Sequence, residues 1–145
     1  MSLNGLLSTL DHHPEYRRRL VNANSNNGPA QIPARQGSRA AYIAALWGQR
    51  QVPMLVISPR SEDARRLFDQ LVTYLGESQP LHLLPEPEVL PFERLAVDSH
   101  TSNQRLTALA ALSSYSARAG AGPPMVVTSI AAVLRKTLPP VVVAP

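Results

Sequence analysis

Two short apolar runs, Met54-Leu55-Val56-Ile57 and Met125-Val126-Val127-Thr128, constrain the fold of this chain most. Each is bounded by proline or by a Ser-Pro step, and each is followed by a stretch with helical spacing. An unbroken apolar run of this length between turn signals reads as a strand buried on both faces, the kind that parallel sheets use. Leu81-His82-Leu83-Leu84 is a third strand, and Gln31 to Pro33 a short fourth one. Between them lie helices. Ser38 to Gly48 is one, with Gly48 as its stop. The next is capped by Ser61, carries Glu62 and Asp63 where the helix dipole favours negative charge, and ends at Gly76. Its apolar stripe is Ala64, Leu67, Phe68, Leu71, Val72 and Leu75. A third helix starts at Thr101 or Ser102 and reaches about Arg118, with Leu106, Leu109, Leu112 and Ala117 as core residues. Ser129 caps a last one, from Ile130 to about Leu138, halted by Pro139-Pro140. Strand and helix in strict alternation predict an α/β fold, a parallel sheet with helices on both faces.

Composition sets the outer bounds. The chain has 145 residues, enough for one core of ordinary size. Apolar residues make up 44% and charged residues 17%, a globular balance. No apolar run approaches the roughly 20 residues that span a bilayer, and the N-terminus lacks the pattern of a secretory signal. Without cysteine there is no disulfide framework or thiolate zinc site, which suits a cytoplasmic protein. The net charge of +4 rests on arginine, with Lys136 the only lysine, and it permits contact with nucleic acid without establishing it. Residues 1–30 read as short helices around Arg17-Arg18-Arg19 and then a polar linker, Asn22 to Gly28; residues 31–140 read as the α/β domain. Residues 141–145 read as an edge strand or a stub toward a further domain.

One segment has the frame of a nucleotide-binding loop. A phosphate loop needs G-x-x-x-x-G-K-[ST] between strand and helix: glycines that let amides close on phosphate, a lysine for the outer phosphates, a hydroxyl for magnesium. On that frame Pro33 stands at the first glycine, Ser38 at the second, Arg39 at the lysine and Ala40 at the hydroxyl, with Gly37 just before. Pro33 removes an amide donor, and a planar guanidinium does not replace a compact ammonium in a tight cradle. No apolar run ends in Asp-Glu to hold magnesium. These positions are expected to bind no nucleotide, although Arg35, Arg39 and the helix N-terminus retain the means to attract a phosphate or sulfate.

Other polar residues fit structural roles. Ser58, Thr128 and Ser129 follow strands at places where a backbone phosphate can be held, and capping explains the same residue types. Glu86, Glu88 and Glu93 lie on a proline-stiffened loop with no paired histidine, as surface acids that meet another domain do. His12-His13, His82 and His100 lack metal-ligand spacing. Tyr42 and Trp47 read as packing residues. The basic residues suited to touching DNA or another domain are Arg35, Arg39, Arg60, Arg65 and Arg66.

The order of these pieces resembles a known family. Ser38-Arg39-Ala40 precedes Leu55-Val56-Ile57-Ser58-Pro59; the helix ending Tyr74-Leu75-Gly76 follows. Then come Leu84-Pro85-Glu86-Pro87-Glu88-Val89-Leu90-Pro91-Phe92-Glu93, Arg105-Leu106 with Leu109, and Val126-Val127-Thr128-Ser129-Ile130 with Leu134. The series, from about Arg35 to Pro140, resembles the N-terminal module of the bacterial transcription-repair coupling factor. That module is itself similar to the first domain of the bacterial excision-repair helicase with its ATP site lost. The segment from Glu88 to Glu93 is the most specific piece; the family carries tryptophan where Pro87 stands and often tyrosine where Phe92 stands.

The resemblance implies a RecA-like, helicase-like sheet, incomplete at this length, in a parent protein of several domains. Such a parent displaces stalled RNA polymerase by ATP-driven translocation on duplex DNA and recruits the damage-recognition ATPase of excision repair. ATP and magnesium are then expected only in the parent's motor domains, and this module serves as a scaffold, docking or regulatory surface without catalysis. Two readings of other classes stand beside it. A nucleotide-dependent enzyme of the phosphate-loop class would show a magnesium-dependent rise in melting temperature with ATP. An unrelated small α/β interaction domain would lack salt-sensitive affinity for DNA.

Overall fold

A computed structural model describes residues 3–18, 31, 33–87, 99–117 and 122–137. In chain order the elements are α1 (Asn4–Asp11), α2 (residues 14–18), a 3-10 turn (Gln36–Ser38) leading into α3 (Arg39–Arg50), β1 (Met54–Ser58), α4 (Ser61–Leu75), β2 (Leu81–Leu84), α5 (Ser99–Ala117), β3 (Met125–Ser129) and α6 (Ile130–Leu134). The three strands form one parallel sheet in the order β1-β3-β2, with α5 packed against one face. The chain is therefore a mixed α/β protein, as the alternation of strand and helix requires. The central strand is the last in sequence: β3 aligns Leu55 with Val126 on one side and His82 with Val126 on the other.

The chain packs as two compact units, residues 1–50 with 70–79, and residues 51–69 with 80–145. In the first unit, α3 buries one face, Ala40, Ala41, Ala44, Ala45 and Trp47. Alanines at this spacing let neighbours approach closely, and the Trp47 ring supplies the bulk. Tyr42 stacks on buried Tyr16, ring centroids 5.3 Å apart and tilted by 35°. The Leu3 amide donates to the Thr73 carbonyl at 2.9 Å.

The second unit holds the sheet. All five residues of β3 are buried. On one face, Leu84 and Val126 pack with Ala108 of α5, joined by Leu109 and Leu112. Ala108 suits this contact because a larger side chain would hold α5 off the sheet. The Thr128 hydroxyl donates to the Leu84 carbonyl at 3.0 Å and ties the ends of β2 and β3 together. Thr128→Val is expected to cost about 1–3 kcal/mol, because the buried carbonyl loses its side-chain donor; urea unfolding of the variant measures it.

Several sequence expectations need correction. β1 is not buried on both faces: Leu55 and Ile57 are 53% and 50% exposed. Its one neighbour in the described sheet is β3, so it lies at an edge, and among the described residues its Leu55 face is left half open. Gly48 does not stop α3, which runs on to Arg50 and ends where Gln51 takes a left-handed φ of 48°. Glycine is tolerated inside the helix, and the reversal falls on a residue whose type does not announce it. Gly76 does end α4, with φ 89° and its amide donating to the Val72 carbonyl at 2.8 Å. Gln31 and Pro33 lie in no strand, and Ile32 is outside the described residues. Leu106, expected in the core, is 44% exposed, while Ala117's side chain falls outside the described set. Helix α6 stops at Leu134, since Arg135 is already extended at φ −76°, ψ 138°. The segments Asn22–Gly28, Glu88–Glu93 and Val141–Pro145 also lie outside the described residues.

Candidate functional site

The loop with the phosphate-binding frame belongs to the first unit. Its turn is closed by its own atoms: the Ser38 amide and hydroxyl both donate to the Arg35 carbonyl, at 2.9 and 3.1 Å. Ala40, at the magnesium-hydroxyl position, is buried in the α3 face, whereas Pro33, Arg35, Gly37 and Arg39 are exposed. A side chain added at Gly37 would meet nothing within 4 Å, and its backbone does not have positive φ. Neither feature that obliges glycine in a phosphate cradle is present, namely an inaccessible backbone angle or close approach to another group. Gly37→Ala is accordingly expected to leave stability within about 1 kcal/mol of the parent or to raise it slightly, which a melting curve checks.

A second set of residues gathers at the C-terminal end of the sheet, where open α/β sheets form their ligand crevices. A cavity of about 360 Å³ lies there, lined by Ser61, Arg65, Glu86, Thr101, Ser129 and Arg135 together with the chain from Leu83 to Pro87 and Ala64. All of these belong to the second unit. Local chain geometry places them. Ser129 ends β3 and caps α6, its Oγ accepting the Ala132 amide at 3.2 Å. Ser61 opens α4, and its hydroxyl donates to Glu86 Oε2 at 2.9 Å in place of the capping role expected for it. The Ser61 and Ser129 hydroxyl oxygens are 3.2 Å apart.

One arrangement of hydrogens satisfies this whole chain. The Ala132 amide donates to Ser129, Ser129 donates to Ser61, and Ser61 donates to the Glu86 carboxylate. Each bond polarises the next toward the negative end. Arg135 approaches the other carboxylate oxygen, its guanidinium 3.8 Å from Glu86 Oε1. Arg105 donates to the Pro85 carbonyl, which fixes the loop that carries Glu86. Burial, and secondarily the charge of Arg135, lower the Arg105 pKa from its ordinary value. The guanidinium remains charged at neutral pH, so two cations face the same loop.

The residues singled out by sequence thus divide. Ser129 and Arg65 line the cavity; Thr128, next to Ser129, turns its hydroxyl to the Leu84 carbonyl instead. Arg60 is exposed and pairs with Asp63 at 3.0 Å; Arg66 and Ser58, exposed and buried respectively, are not among the lining residues. Capping accounts for Ser129, whereas the Thr128 hydroxyl is taken by the Leu84 carbonyl. In the sequence Glu86 is visible only as one acid of a loop. Its pairing with Ser61, 25 positions earlier, and with Arg135 has no local sequence signal. Among the described residues no group of three or more His, Asp or Glu side chains could hold a metal ion, and no helix is long and apolar enough to cross a membrane.

No protein-family model matches this chain. Over 137 residues, 93% of its length, it is 31% identical to the transcription-repair-coupling factors of Mycobacterium bovis and Mycobacterium tuberculosis. The aligned stretch is 11% of each of those proteins, so the chain is similar to a small part of a much longer repair factor.

Proposed function

We propose that this chain acts as a non-hydrolysing, helicase-like module of a transcription-coupled DNA repair factor, a scaffold and docking surface rather than a motor. The observation that carries the reading is the 31% identity to transcription-repair-coupling factors across 137 residues. The parallel three-stranded sheet is the framework that a helicase-like domain needs, and the self-closed turn at Arg35–Ser38 is the opposite of an open phosphate cradle. In this reading ATP, magnesium, RNA polymerase and duplex DNA are handled by other domains of the parent protein. This module meets those domains and the damage-recognition ATPase of excision repair. Arg35, Arg39, Arg60, Arg65 and Arg66, all of them exposed, are the cations offered to DNA or to a neighbouring domain.

Capture of the purified excision-repair ATPase by the immobilised chain tests the docking role. Saturable binding that weakens when Arg65 and Arg66 are changed together to glutamate is the expected result. No binding at micromolar concentrations of either protein would overturn it.

A further inference from the structure

We infer that the cavity at the C-terminal end of the sheet is an oxyanion site that the chain fills with its own Glu86 carboxylate, and that a phosphate group competes for it. The site stands independently of the repair reading.

The cavity presents donors to a single acceptor. The hydrogen-bond chain from the Ala132 amide through Ser129 and Ser61 ends on Glu86 Oε2, and Arg135 flanks Oε1. Arg65 lines the same space, and Arg105 holds the Pro85 carbonyl next door. Besides Glu86, the ionisable side chains lining the cavity are Arg65 and Arg135, both cationic. Donors and cations that converge on one point select a negatively charged acceptor. Glu86 supplies it from a loop residue that is itself partly exposed, with its partner 3.8 Å away, so the latch is loose. At about 360 Å³ the space exceeds the roughly 30 Å³ of a water molecule many times over, leaving room for a phosphate or pyrophosphate group.

Glu86→Ala is the direct test, because it removes the internal anion and leaves the donors waiting. Inorganic pyrophosphate, titrated calorimetrically against the 145-residue chain, is expected to bind Glu86→Ala at least about tenfold more tightly than the parent, a difference of about 1.4 kcal/mol. Adding Arg135→Gln should abolish that gain, and raising the salt should weaken binding. A short single-stranded oligonucleotide run as a competitor separates the two sources of phosphate. Displacement of pyrophosphate indicates a nucleic-acid phosphate, and no displacement indicates a free phosphate group. Equal pyrophosphate affinity in parent and Glu86→Ala would overturn the inference, as would a gain that survives Arg135→Gln. Should Glu86→Ala fail to fold, Glu86→Gln keeps an acceptor for Ser61 without the charge and is read by the same criteria.

Discussion

Replacing Leu84 by alanine is expected to lower the stability of the chain by about 2–5 kcal/mol, the range for emptying a leucine site in a packed core. Leu84 is only 6% exposed and meets Val126 on the central strand and Ala108 on α5, so its removal leaves a gap between sheet and helix. Its backbone carbonyl also receives the Thr128 hydroxyl, which limits how far the end of β2 can move to close that gap. Leu55→Ala is the matched control. Leu55 belongs to an apolar run of the same kind, but on β1 it is 53% exposed, and its loss should cost less than about 1 kcal/mol. Chemical denaturation of both variants reads how far α5 covers each strand. Equal losses would mean that β1 and β2 are covered alike and that α5 does not shield Leu84 alone.

Ala108→Asp is expected to be comparably damaging, with a loss above about 3 kcal/mol. Ala108 is fully buried where α5 lies on the sheet, among Leu84, Val126, Leu109 and Leu112. A carboxylate there would lose its hydration without gaining a partner, a cost that buried charges offset only when paired. The neighbouring Thr107 is exposed, so Thr107→Asp should cost less than about 1 kcal/mol. Circular dichroism of the two variants separates the cases, since they differ by one position and share the same change in charge. A folded Ala108→Asp protein with an unchanged melting temperature would remove α5 from the sheet.

What could be read from the residues follows from how local the signals are. The runs at Met54, Leu81 and Met125 form strands at nearly the expected bounds, because short apolar runs between prolines leave few alternatives. The stripe of α4 has Ala64, Leu71 and Leu75 buried and Arg65 and Arg66 outside it, because its charged and apolar residues are sharply divided. Helix α5 mixes small, polar and apolar residues without a clear stripe, so its spacing could not say that Ala108 faces inward and Leu106 does not. The edge position of β1 depends on the order in which distant strands pair, which no local pattern records. The same holds for the Ser129–Ser61–Glu86 chain, whose members come from the ends of β3, α4 and β2. Among the loop residues, Pro33, Ser38, Arg39 and Ala40 are legible as departures from a phosphate-binding pattern. The closing of the turn onto the Arg35 carbonyl is not, since an arginine backbone carries no sign of what it will accept.

The central claim is that a helicase-like framework persists in this chain while its nucleotide loop has fallen silent. Melting curves of the 145-residue chain with and without millimolar magnesium-ATP test it most directly, because a ligand that binds only the folded state must raise the melting temperature. The account predicts no magnesium-dependent shift, and none that Arg39→Ala changes. A saturable, magnesium-dependent rise that Arg39→Ala abolishes would contradict it.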